Sequence, residues 1–330
     1  MSAFSLPVPD ISAWRAGNCG VEGVWRFDSG LPGRKVLVTA LVHGNELCGA
    51  WALKGLLEAG LRPRRGSLTL AFCNLAAFDR FDAAHHDASR FVDEDMNRQW
   101  LPERLADAST QERRRAAELA PFVEQADWLL DLHSMHEPGL PLSLAGLSAA
   151  NVALAVHMGA PEHIVVDAGH KDGVRMRDFG RFAAPEASGV RSLLIECGFH
   201  GDPASRVVAQ DQCARFLEAS GCWDAGECDQ ALPGWRQPAP AAQWVLEVTG
   251  GVVAHSEHFS FTEAFTGLET IPKQGTVIGF NEGPVVTPYD DCVLVMPSTR
   301  QARKGVTVVR FARRRPASDA QALSAVAVPG

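Results

Sequence analysis

A histidine and a glutamate stand three residues apart in "LVHGNEL", directly after the apolar run "KVLVTALV". At a turn entering a helix, residues with that spacing lie on one side and can reach a single ion. These are His43 and Glu46. A second histidine, His133, ends the apolar run "DWLLDLH", an unusual place for a polar ring. Two imidazoles and one carboxylate form a three-ligand set that leaves a fourth zinc position open, as hydrolytic zinc sites require. Each segment alone also has a plainer reading. Glu46 would then be a helix-start acid favoured by the helix dipole, and His133 a hydrogen-bonded core histidine.

Asp131 lies two residues before His133 on the same strand face, placed either to orient that imidazole or to cap a neighbouring helix. "SLLIECGFHGD" ends another apolar strand in Glu196, whose charge is costly if buried alone and so belongs at a polar site. A carboxylate beside a zinc site is what a general base needs. "ASRFVDEDMNRQW" packs Arg90, Asp93, Asp95, Asn97 and Arg98 into nine residues. Arginine with asparagine can hold a carboxylate through charge-assisted hydrogen bonds, although a solvated loop of mutual ion pairs has the same composition.

Competing signatures are absent: there is no G-x-S-x-G elbow, phosphate loop, H-E-x-x-H helix or G-x-G-x-x-G turn. A formal net charge of −8 gives no general attraction for nucleic acid or an anionic membrane surface. Neither a basic N-terminal leader nor a long uninterrupted apolar window occurs, so a soluble cytoplasmic protein is expected. Eight scattered cysteines, without a C-x-x-C pair, read as reduced packing groups, Cys48 and Cys197 included. His85, His86 and His136 flank the motifs, but nothing requires them as ligands.

The elements that must position these residues follow from hydrophobic periodicity. Strand-like runs at residues 35–42, 67–72, 127–133, 163–167 and 192–196 alternate with helical stretches, the pattern of an α/β domain. A helix is expected to start near Glu46, and another to span residues 107–125 with its arginine run as a solvated face. Residues 224–242 read as a linker. Beyond it, "QWVLEVT", "GTVIGF", "DCVLVM" and "GVTVVRF" predict short strands. The expected division is a catalytic α/β domain at 1–230, a small β domain at 231–313 and a loose tail at 314–330.

Taken in this order, "HGNE", "RFVDEDMNR", "DLHS" and "IECG" resemble the aspartoacylase and succinylglutamate desuccinylase family, relatives of the zinc carboxypeptidases. The resemblance runs over residues 36–202 and continues more loosely beyond. It implies a zinc carboxypeptidase-like α/β domain, with a central mixed sheet flanked by helices and a small C-terminal β domain leaning over the active site. It also implies that His43, Glu46 and His133 hold one zinc ion (Zn2+) per chain and that Glu196 is the catalytic carboxylate. Arg90 resembles the residue that polarises the scissile carbonyl, and Asn97 with Arg98 the pair that grips the substrate's α-carboxylate.

Two departures bear on the substrate. The family's aspartate-specific member carries an arginine shortly before its catalytic glutamate, but Glu186 stands at the ungapped equivalent here. Arg175, Arg177 and Arg181 are nearby alternatives, and the acyl group stays open. Tyr289, the only tyrosine, is either a substrate-contacting phenol or a surface turn residue.

The expected activity is zinc-dependent hydrolysis of the amide of a small N-acyl amino acid, without nucleic-acid or membrane partners. The oligomeric state is open between monomer and homo-oligomer. A zinc carboxypeptidase acting on small peptides would use the same chemistry. A non-catalytic metal- or carboxylate-binding protein would not need Glu196.

Overall fold

The computed structural model describes residues 4–169, 172–300 and 302–319. Strands β1 (Val24–Asp28), β2 (Lys35–Ala40), β3 (Ser67–Phe72), β4 (Trp128–Met135), β5 (Leu142–Leu144), β6 (His163–Val166), β7 (Arg191–Phe199) and β8 (Trp244–Val253) come first. They are followed by β9 (Ser260–Phe261), β10 (Thr270–Ile271), β11 (Val277–Phe280), β12 (Pro284–Val286), β13 (Cys292–Val295) and β14 (Thr307–Pro316). Every residue of β3 and β4 is buried, as their continuous apolar runs require of strands covered on both faces.

Alternation along β2 divides the core. Val36, Val38 and Ala40 pack with the helices Leu47–Glu58 and Pro203–Ala219, while Leu37 faces the helix Gln111–Gln125. Each fully buried branched side chain contributes roughly 1.5–3 kcal/mol. The result is a mixed sheet of eleven strands in the order β1-β3-β2-β4-β7-β5-β6-β8-β14-β13-β10, with β9, β11 and β12 in a separate three-stranded sheet. Strand β2 runs parallel to β3 and β4, and β4 parallel to β7. The C-terminal ends of β2, β4 and β7 therefore lie together, where open α/β sheets place their ligands.

The C-terminal strands are joined to the main sheet: β8 pairs in parallel with β6, and β14, β13 and β10 continue it outward. The hydrogen-bonded ladder runs across the expected boundary near residue 230. The stretch 224–242 contains the helix Glu227–Ala231 and buries Cys228, Leu232 and Trp235 against the main core, so it is packed structure rather than a free linker. Residues 314–316 lie inside β14, where Arg315 pairs with Val245 and Pro316 with Trp244. The rest of the expected tail, from residue 320, lies outside the described residues.

The helix expected from residue 107 begins at Gln111, because Thr110 caps it by accepting the Arg113 N–H at 3.2 Å. Its arginines are not one solvated face. Arg115 is buried and donates to the carbonyls of Cys73, Phe72 and Glu22. No helix among the described residues is long and apolar enough to cross a membrane.

Candidate active site

Strand β2 stops at Ala40 because Leu41 turns into the left-handed region, with φ 59°. That conformation costs a side-chain-bearing residue roughly 1–2 kcal/mol. The turn is held by the Asn74 N–H on the Leu41 carbonyl at 2.7 Å, and by the Cys73 N–H on that of Ala40 at 2.8 Å. Gly44 follows in a place that admits no side chain, since a Cβ there would lie 2.4 Å from backbone atoms of Ala77 and Ser89. Its N–H donates to the Arg90 carbonyl at 3.0 Å, tying the turn to the arginine-bearing loop. Glu46 then stands at the N-cap position of the helix Leu47–Glu58, with its side chain turned to the histidines instead of capping the helix.

The turn and β4 bring His43, Glu46 and His133 together. All three are buried, and one potential ligand atom from each lies within 4.8 Å of the others. Glu46 offers Oε1 to His43 Nδ1 at 2.7 Å and Oε2 to His133 Nδ1 at 2.8 Å. His133 Nε2 lies 3.0 Å from Asp131 Oδ2, while Asp131 Oδ1 accepts from the Thr39 hydroxyl at 2.7 Å. The His133–Asp131 contact is angled outside hydrogen-bond geometry, leaving both atoms short of a satisfied partner.

Arg90 reaches Glu46 Oε1 and Asp95 Oδ2, each at 3.2 Å, and Asp95 Oδ1 meets His43 Nε2 at 2.9 Å. Burial would raise the Glu46 carboxyl, but the two imidazoles outweigh it and hold Glu46 well below its ordinary range. Asp95 is depressed in the same way, with His43 and Arg90 overcoming burial. His133 shows the converse: burial lowers it, while Asp131 and Glu46 together carry it well above an ordinary imidazole. Glu46 and Asp95 are thus held as carboxylates beside the two imidazoles, and two histidines with one carboxylate are a donor set suited to zinc. The residues fit a divalent ion.

Glu196 enters from β7, in register with His133 across the parallel pair. Its side chain is buried, and burial pushes the carboxyl up to about 8, with the charge of His133 opposing the shift. Oε2 has no hydrogen-bond partner among the described residues. With Oε2 unpartnered beside the histidines on a cavity wall, the carboxyl is placed to exchange a proton with a bound ligand.

These groups line a cavity of about 650 Å³. Asn97 and Arg98 are on its wall. The Asn97 carbonyl oxygen is used by the Met176 N–H at 2.9 Å, so its amide nitrogen is the group left to donate to a ligand. Arg98 lies 3.2 Å from Asp172 and 3.9 Å from Asp95. Leu144, Val165, Leu194 and Val295 add an apolar part to the lining.

The three arginines considered for the acyl end separate cleanly. Arg175 lines the cavity, but Asp167 grips it at 3.0 and 3.2 Å and Asp178 at 2.7 Å. Arg177 is buried against the Ala145 carbonyl and Ser192, and Arg181 pairs with Asp127; neither lines the cavity. Glu186 is likewise outside it.

Tyr289 is not brought to the site. Its hydroxyl bonds Thr249 at 2.7 Å, Arg313 covers its ring at 3.8 Å, and it packs with the C-terminal cluster around β13 and β14. His85 is largely exposed and pairs with Asp82. His136 lines the cavity and meets Asp87 and His200, whose other nitrogen bonds Ser134 at 2.7 Å. All eight cysteines are free and seven are buried; burial raises the Cys197 thiol well above its ordinary value, which fits a packing role.

Arg300 and Arg310 also line the cavity and escaped the sequence reading. Arg310 had a signal, a lone charge inside the apolar run "TVVRFA". Arg300 had none: it joins Asp87 at 3.0 Å and Glu137 at 2.7 Å, partners far away in the chain.

Comparison with known proteins bears on this geometry. Residues 32–163 match the family model for the succinylglutamate desuccinylase/aspartoacylase catalytic domain. No curated protein matches the chain. Solved structures do. Succinylglutamate desuccinylase from Vibrio parahaemolyticus superposes with TM-score 0.64 at 16% identity, over 89% of this chain and 86% of that one. The succinylglutamate desuccinylase/aspartoacylase from Rhodobacter sphaeroides gives 0.62 at 20% identity, over 94% and 93%. The product-bound ectoine utilization protein EutE (DoeB) from Ruegeria pomeroyi gives 0.59 at 18% identity, over 93% and 92%. At these identities the structures establish the shared fold.

Proposed function

We propose that this protein, whose residues 32–163 match the model of a deacylase family, is a zinc-dependent hydrolase that cleaves the amide of a small N-acyl amino acid. The observation that carries the proposal is the convergence of His43, Glu46 and His133 in one cavity with Glu196, whose Oε2 has no hydrogen-bond partner among the described residues.

His43, Glu46 and His133 would hold the ion, which when bound supplies Lewis-acid polarisation and an acidified water. Asp95 holds the His43 ring turned toward Glu46 by a hydrogen bond, and the Asp131 charge lies beside the His133 ring. Glu196 takes the proton of the attacking water on its carboxylate and returns it to the leaving amine, so the base becomes the acid. Arg90 donates toward the carbonyl oxygen as negative charge develops there. Arg98 and the Asn97 amide hold the substrate's free α-carboxylate and so fix the scissile bond between Glu196 and Arg90.

The test is a turnover screen of zinc-loaded protein against N-acetyl, N-formyl and N-succinyl amino acids, with C-terminally free peptides in parallel. Release of a free amino acid from the acyl series supports the proposal. Turnover confined to peptides makes the protein a carboxypeptidase, and tight zinc binding without any turnover makes it a binding protein.

A further inference from the structure

Glu112 is fully buried, and it lies outside the cavity. Its carboxylate accepts four hydrogen bonds, all from neutral donors. Oε1 takes the Val92 N–H at 2.7 Å and the Asn74 side-chain N–H at 3.0 Å, while Oε2 takes the N–H groups of Asp93 at 3.0 Å and Glu94 at 3.3 Å. A buried carboxylate is costly unless its lone pairs are met in this way, and three successive backbone N–H groups form an anion-binding concavity. The first turn of the helix Gln111–Gln125 adds its dipole to the same effect.

The clasp is reciprocal. Asp93 Oδ2 accepts the Gln111 N–H at 2.8 Å, and Glu94 Oε1 accepts the Thr110 hydroxyl at 2.6 Å and meets Arg113 Nε at 2.7 Å. Residues 92–94 are thereby pinned through backbone and side chains alike. They sit between Arg90 on one side and Asp95, Asn97 and Arg98 on the other. Asn74 extends the linkage: the residue whose side chain bonds Glu112 also donates its backbone N–H to the strained Leu41 carbonyl, two residues before His43.

We propose that Glu112 is a positioning residue that holds the substrate-gripping loop 90–98 in register with the metal-binding turn 41–46, directly at residues 92–94 and through Asn74 at Leu41. Its kinetic consequence rests on the assignment of Asn97 and Arg98 to the substrate carboxylate; its structural consequence does not. Glu112→Gln keeps the size of the side chain but presents an amide NH2 to N–H donors, so at least two of the four bonds are lost.

The experiment compares wild type, Glu112→Gln and Asp211→Asn, all zinc-loaded. Asp211 is another buried carboxylate, paired with Arg215 away from the cavity, and serves as the control for general destabilisation. Two readouts are taken: amide hydrogen exchange at residues 92–94, and the ratio of kcat/KM for an N-acetyl amino acid over its carboxamide. Glu112→Gln should speed exchange at those amides by about tenfold or more and shrink the acid-over-amide ratio by a similar factor, with zinc stoichiometry retained. Asp211→Asn should lower Tm without moving either readout.

Unchanged protection at residues 92–94 in Glu112→Gln overturns the proposal, as does an equal change in both readouts in Asp211→Asn. If the wild type turns over no N-acyl amino acid, the functional assignment fails and the exchange readout alone decides on Glu112. If Glu112→Gln does not fold, Asn74→Ala carries the test. It removes one of the four bonds to Glu112 and keeps the backbone N–H on Leu41, so it should speed amide exchange at residues 92–94 severalfold, and unchanged protection there overturns the proposal.

Discussion

His133 and Glu196 are register partners across the parallel strands β4 and β7, which places the second histidine and the carboxyl with the unpartnered Oε2 on adjacent strands. Parallel pairing is what makes this a fixed relationship, since a one-residue slip would turn one of the two side chains to the opposite face of the sheet.

Replacing Glu196 by Gln should leave fold and metal content intact and lower kcat by about 10²–10⁴-fold, the usual contribution of a general acid–base group. Metal analysis and steady-state kinetics on the same preparation check this. Near-normal turnover would place the base elsewhere.

His43→Ala and His133→Ala should each abolish stoichiometric zinc, because either change leaves two of three protein ligands. Equilibrium dialysis against buffered zinc measures it. Tyr289→Phe, by contrast, should leave KM unchanged, since that phenol is spent on Thr249 outside the cavity.

Amidation of the substrate's α-carboxylate should lower kcat/KM by about ten- to a hundredfold, the loss expected for one charge-assisted contact of about 1.5–3 kcal/mol. Arg98→Ala should erase most of that difference by weakening the free acid. Equal rates on acid and amide by the wild type would remove the proposed grip.

Asp167 gives a pH-dependent prediction. Burial would raise its carboxyl, but Arg175 outweighs burial and lowers it below its value in the unfolded chain. The pair therefore stabilises the fold fully above the unfolded value of about 4, and this contribution is lost as pH falls through the folded one. Asp167→Asn should cost about 1.5–3 kcal/mol at pH 7 by leaving Arg175 with Asp178 as its remaining carboxylate partner. The variant should also lose less stability than wild type between pH 5 and pH 2, as denaturant titrations at each pH would show.

Much of this candidate site was legible because its residues end apolar runs. His43, His133 and Glu196 each interrupt a stretch that periodicity already assigns to a central strand, so their place at the sheet's C-terminal edge could be read. The spacing of Glu46 from His43 needed only the start of a helix. Glu112 was illegible for the opposite reason: inside "QERRRAAEL" a buried acid is indistinguishable from a solvated one, and its partners at residues 74 and 92–94 are brought to it by tertiary packing. Arg300 was hidden likewise, because its value lies in bridging residues 87 and 137. The continuity of the sheet past residue 230 was missed because strand pairing between β6 and β8 leaves no local trace in either segment.

That pairing has a consequence for how the molecule comes apart. With one ladder running from β1 to β10 and Trp235 seated against Gly55 of the first helix, neither half can melt without exposing an unpaired edge or apolar core in the other. Calorimetry should therefore record a single cooperative endotherm whose van't Hoff and calorimetric enthalpies agree. A chain cut off near residue 230 should not survive as a smaller enzyme; it should aggregate through the bared strand β6.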